Sequence, residues 1–160
     1  MTITAERPFV TATDPRTLLG SELVNRLATR IVKDHPGIDL PFADRIVTQT
    51  AAFLAACGDN TGQPLSPSGS IDVGWHTFIL HTREYAAFCQ RIAGHFVHHV
   101  PTDPDEGEEG TAAAARQRTL EAITAADYTV DLELWPEMSD CSQCHAGCSD
   151  SPNSGKSKQK

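Results

Sequence analysis

Five of the seven histidines lie between Pro67 and Pro101, together with Trp75, Tyr85, Cys89 and three of the six phenylalanines. Imidazole and thiolate are the side chains that bind transition metals, so this stretch is the first place to look for a site. Asp72 and His76 stand four residues apart, which makes them neighbours on a helix surface. A carboxylate so placed can share a metal with the imidazole, or hold it by hydrogen bond and fix its tautomer. If the next helix folds back as a hairpin, Cys89 returns toward that face, and His95, His98 and His99 in the following turn can close the site. The donor set suits zinc, or iron or copper with softer ligation, in preference to magnesium or calcium. His81 lies about 140° around an ideal helix from His76 and is better placed to end the helix and complement its dipole. A plainer reading accounts for the same residues: Asp72 caps a helix start, Cys89 is a small core residue, and the histidines are at the surface or bonded to backbone.

A second group stands near the end of the chain, at Cys141, Cys144, His145 and Cys148. Cys-x-x-Cys supplies two thiolates to one tetrahedral metal, and His145 or Cys148 can add a third or fourth ligand. Cys-x-x-Cys-His also matches a c-type haem attachment sequence. Against haem stand the absence of a visible export signal and of a convincing second axial ligand nearby. The alternative is a flexible thiol-bearing tail, modified or recognised by a protein partner, with the rest of the chain as its carrier. There is no Gly-rich phosphate loop, no G-x-S-x-G turn and no H-E-x-x-H. A Cys89–imidazole nucleophile is disfavoured, because a thiol on an apolar helix face is unreactive.

The elements that must position these groups read as helices. Asp14-Pro15 opens a first helix with Leu19, Leu23, Leu27 and Ile31 along one face, ending near Asp34. Asp39 and Pro41 open a second, in which Phe42, Ile46, Phe53 and Cys57 share a face, and Gly58 stops it. A short Pro-Gly turn between them predicts an αα-hairpin. Residues 59–70 form a loop, after which Ser70 caps a helix with Ile71, Trp75, Phe78 and Ile79 on its apolar side. Thr82 caps the next, with Tyr85, Phe88, Cys89 and Ile92 on one face, and Gly94 ends it. An acidic loop follows Pro101, and 111–126 is alanine-rich and helix-forming. Tyr128, Val130, Leu132 and Leu134 alternate with polar residues, which predicts one extended strip laid over the helices, with no visible strand partner. The expected fold is therefore all-α: a small bundle of about five helices with a flexible Cys-containing C-terminal tail. Residues 1–13 are an arm, 14–136 the helical domain and 137–160 the Cys-rich, then disordered, tail.

At 160 residues, 39% hydrophobic and 21% charged, the chain has the size and composition of one soluble domain. A net charge of −8 argues against nucleic acid or anionic membrane as a partner, since both reward clustered Lys and Arg. The N-terminus shows no basic region followed by an apolar run, which points to the cytoplasm and to reduced thiols.

The segment Ile71-Asp72-Val73-Gly74-Trp75-His76, followed by Phe78-Ile79-Leu80, Thr82, Tyr85, Phe88-Cys89, Gly94 and His98-His99, resembles the bacterial proteins called glycine-rich domain-containing protein-like. The likeness covers mainly residues 39–101, and Asp-x-x-x-His and Tyr-x-x-Phe-Cys are its most specific parts. It implies a helical fold and marks these residues without supplying a mechanism. Together the residues point to a transition-metal binding accessory or binding protein with zinc as its metal. The alternatives are a small metal- or thiol-dependent enzyme using the same pocket, and a carrier of the Cys-rich tail.

Overall fold

The computed structural model describes residues 12–100 and 109–137. It is all-α, with five helices: α1 Ser21–Asp34, α2 Leu40–Asp59, α3 Gly69–Leu80, α4 Thr82–Ala93 and α5 Glu109–Ala125. Among the described residues there is no strand, only one isolated parallel bridge between Thr13 and Tyr128. No helix among them is long and apolar enough to cross a membrane.

The centre of the bundle is α2, which packs against every other helix. Its second half is buried on all sides, from Gln49 through Ala56. Alanines at 51, 52, 55 and 56 leave room for neighbours to approach closely, whereas Phe53 and Leu54 fill the core. A helix so surrounded shows no clean polar face, which is why a single apolar stripe describes only part of α2. Asp39 caps it by accepting the Phe42 N–H at 2.9 Å, and Pro41 sits in its first turn.

Three expected boundaries shift for local reasons. The stretch from Asp14 to Asp34 is not one helix: Pro15–Leu18 forms a 3-10 turn, and Leu19 and Gly20 are extended before α1 begins. Gly20 is the weak point, since glycine gives up more backbone freedom in a helix than other residues. The cap of α3 is Ser68 and not Ser70. Its Oγ accepts the Ile71 N–H at 3.3 Å and donates to the Leu134 carbonyl at 2.6 Å, a partner that the sequence alone does not reveal. Likewise Thr82 is the first residue of α4 and caps nothing, because His81 ends α3 and begins α4.

The alternating strip after α5 finds its partner at the other end of the chain. Asp127 turns left-handed (φ 66°), Thr13 N–H donates to Asp127 O at 2.7 Å, and Thr129 N–H donates to Thr13 O at 3.3 Å. The strip then curls into a 3-10 turn at Leu132–Leu134 and buries Leu134 and Trp135. The Trp135 ring lies 6.0 Å from Phe53, which also meets Trp75 edge-on at 5.3 Å.

Candidate functional site

The rotation of α3 is set at Gly74, where a Cβ would overlap Thr50 Oγ1 and come within 2.9 Å of Ile46 Cγ2. Gly74 thus faces α2 at close range. Asp72 and His76 lie two residues to either side, about 200° around the helix, and so emerge on the far, solvent-facing side. Their contact follows: His76 Nδ1 is 3.1 Å from Asp72 Oδ2.

The third member arrives from beyond α4. Gly94 ends that helix in the left-handed conformation (φ 72°), and the chain turns back along α3. From there burial alternates: Phe96, His98 and Val100 are exposed, Val97 is buried and His99 is half-buried. Val97 is pinned by its carbonyl, which accepts the Tyr85 hydroxyl at 2.6 Å, while that hydroxyl accepts the Trp75 indole N–H at 2.8 Å. Two residues on, His99 Nε2 reaches Asp72 Oδ1 at 2.8 Å, and its ring lies 4.4 Å from the Trp75 ring and 4.5 Å from the His76 ring. The Asp72 carboxylate therefore faces two imidazoles, one through each oxygen. Each imidazole nitrogen can donate a proton to the carboxylate, or shed it and offer a lone pair to a metal.

One ligand atom from each of Asp72, His76 and His99 lies within 4.8 Å of the others. Zinc-to-nitrogen and zinc-to-oxygen bonds are about 2.0 to 2.2 Å, so ligands of a common ion sit roughly 3 to 4 Å apart, a closure that side-chain rotation can supply. The side chains of His76 and Asp72 are 59% and 38% exposed and that of His99 is 13% exposed, so an ion here would be held from inside and open outward.

The other described residues of the sequence-predicted site do not join this cluster. Cys89 is fully buried and neighbours the Tyr85 phenol on the inner face of α4. Burial raises the phenol's pKa, with Cys89 and Cys57 close to it. Burial likewise pushes the Cys57 thiol up to about 12, so that group stays protonated. His95 Nδ1 bonds the Ala93 carbonyl at 2.9 Å, and His98 lies exposed with its ring 4.9 Å from Phe96. His81 Nδ1 bonds the Thr77 carbonyl at 3.0 Å at the end of α3. Cys141, Cys144, His145 and Cys148 lie outside the described residues. Trp75 and Tyr85 read from sequence as core and are core, yet they also fix His99. The available signal was that both carry a polar group which needs a partner when buried.

A separate groove of about 650 Å³ runs between Asp14–Arg16 and Thr129–Leu132, floored by Arg45, Thr48 and Gln49. None of the three clustered residues lines it. Its guanidiniums are already engaged, Arg16 with Asp44 and Arg45 with Asp131 and Glu133.

A family model described as UCP032817-like matches residues 15–123. The chain belongs to the UCP032817-like family. No curated protein and no solved structure matches it. The span shared with the UCP032817-like family holds α1 to α4 and all three clustered residues, and it stops before the Trp135 strip and the tail cysteines.

Proposed function

We propose that the protein binds one divalent transition-metal ion through Asp72, His76 and His99, and acts as an accessory or binding module. The observation that carries this reading is the approach of three ligand atoms to within 4.8 Å of one another. Two imidazoles and one carboxylate favour a transition metal over magnesium or calcium, and zinc takes this donor set readily. Iron and copper remain candidates on the same donors. With Cys89 outside the cluster, the thiolate argument for a softer metal no longer applies to the core site.

A second reading, a small metal-dependent enzyme, has one observation in its favour. Among the described residues three protein groups meet, and an ion with a vacant position can hold a reactive water.

The test uses the full chain with Cys141, Cys144 and Cys148 changed to serine, so that tail thiols do not contribute, purified without a histidine tag. Equilibrium dialysis against zinc followed by metal analysis should give one zinc per chain. His76→Ala and His99→Ala should each weaken binding by about 100-fold or more, since even groups that only support a ligand account for 10- to 100-fold. Cys89→Ala should keep its metal. Absence of bound zinc together with unchanged stability in chelator would sink the proposal, as would full retention in His99→Ala.

A further inference from the structure

Three clustered groups leave a tetrahedral ion one ligand short. Among the described residues no further donor joins them: Cys89 is buried on the inner face of α4, His95 is bonded to the Ala93 carbonyl and His81 to the Thr77 carbonyl. Asp72 and His76 form the exposed side of the cluster, so a fourth protein ligand has to arrive over open surface. Its charge is constrained as well. Two neutral imidazoles, one carboxylate and a divalent ion carry a single positive charge, which one thiolate cancels.

The chain carries three thiols in one short stretch, Cys141-Ser-Gln-Cys144-His145-Ala-Gly-Cys148, and the fold anchors the residues just before it at the N-terminal end of α3. Ser68, the cap of α3, donates to the Leu134 carbonyl at 2.6 Å, and Asp72 stands about one turn further along the helix. Deeper in, ring contacts of 6.0, 5.3 and 4.4 Å lead from Trp135 through Phe53 and Trp75 to His99. An extended chain covers about 3.3 Å per residue, so the seven residues from Glu137 to Cys144 can span roughly 23 Å, more than the whole of that path. Thiols tethered this close meet the ion at an effective concentration in the millimolar range. The tether, and not the shape of a pocket, selects the ligand.

We infer that one thiolate from Cys141, Cys144 or Cys148 completes the coordination of the ion held by Asp72, His76 and His99. A filled fourth position favours the binding module over the enzyme. This rests on the metal reading above, and the experiment separates the two. The reduced full chain and its variant with serine at the three tail cysteines are titrated with cobalt(II), whose near-ultraviolet charge-transfer absorption reports bound thiolate. Zinc affinity is measured for both by competition with a chelator. The full chain should show the thiolate band with its first equivalent of cobalt, bind one ion as the serine variant does, and hold zinc about 100-fold or more tighter than that variant. With all cysteines in place, His76→Ala/His99→Ala should lose the band at that equivalent. His76→Ala alone, at a side chain 59% exposed, should need at least about tenfold more cobalt to reach it. If the serine variant binds its ion but the full chain shows no thiolate band, or if the band survives the double histidine change, the inference fails and the metal site stands. If the serine variant binds no ion, the metal reading falls and the inference with it.

Discussion

At the scale of single residues, Tyr85 joins the core to the site. Its hydroxyl is satisfied on both sides, accepting from the Trp75 indole and donating to the Val97 carbonyl, and that carbonyl sits two residues from His99. Tyr85→Phe keeps the ring and its packing with Phe78, but leaves a buried donor and a buried acceptor without partners. The expected loss of stability is about 1 to 3 kcal/mol, measured by urea denaturation. Zinc affinity should fall by roughly 10- to 100-fold, since supporting hydrogen bonds of this kind hold a ligand in register. Cys89→Ala is the control: it trims the same buried helix face and should lower stability while zinc affinity holds. Equal zinc affinity in Tyr85→Phe and the parent would show that the phenol only packs. The Asp72–His76 pair was legible from its spacing alone, because helical periodicity places such residues together. His99 was legible only as one of several histidines after α4. Which of His95, His98 and His99 turns inward depends on where Gly94 ends the helix and on the pinning of Val97, and no local pattern encodes either. Cys89, on the inner face of α4, was grouped with the site on the premise that a hairpin would return it toward Asp72 and His76. That face looks into the core, while Asp72 sits on the outer side of α3.

At the scale of elements, the position of the site depends on how α3 docks. Thr50 Oγ1 donates to the Ile46 carbonyl within α2 and approaches the Ile71 carbonyl at 3.4 Å, so α3 lies directly on the Thr50 and Ile46 side chains of α2 at Gly74. Gly74→Ala adds helix propensity, worth about 1 kcal/mol in an exposed helix. Here the methyl has no room, and the overlap should outweigh that gain, giving a net destabilisation of about 1 to 3 kcal/mol. The midpoint of urea denaturation checks the sign: a stabilised variant would mean that the two helices separate freely at this crossing. The helices themselves were legible, from the cap at Asp39, from Gly94 and from apolar spacing, whereas the cap at Asp14 opens a 3-10 turn ahead of α1. The fate of residues 127–135 was half legible. Their alternation marked an extended, half-buried strip, but its partners are Thr13, Gln49, Ser68 and Arg116, distant in sequence and visible only once the chain is folded.

At the scale of the whole molecule, that strip closes the bundle and makes its stability depend on acid. Arg45 on α2 grips Asp131 with two hydrogen bonds of 2.8 and 2.9 Å and also pairs with Glu133, while the Gln49 side chain donates to the Thr129 carbonyl at 3.3 Å. Hydrogen bonding from Arg45 holds the Asp131 carboxyl below the usual carboxylate range. A carboxyl whose pKa is lower folded than unfolded binds fewer protons in the folded state, so its contribution is complete above the unfolded value near 3.9. It is lost as pH falls through the lower folded value. Asp131→Asn keeps the shape and removes the charge, and it should cost about 1 kcal/mol or less at pH 7, since both partners are partly exposed and solvent weakens the pair. The gap between parent and variant should narrow as denaturation is repeated at pH 4 and then pH 3. A gap that stays constant across that range would assign the role of Asp131 to the shape of the turn and not to its charge. The strip would then be held by its carbonyl contacts to Ser68 and Arg116 and by the burial of Trp135.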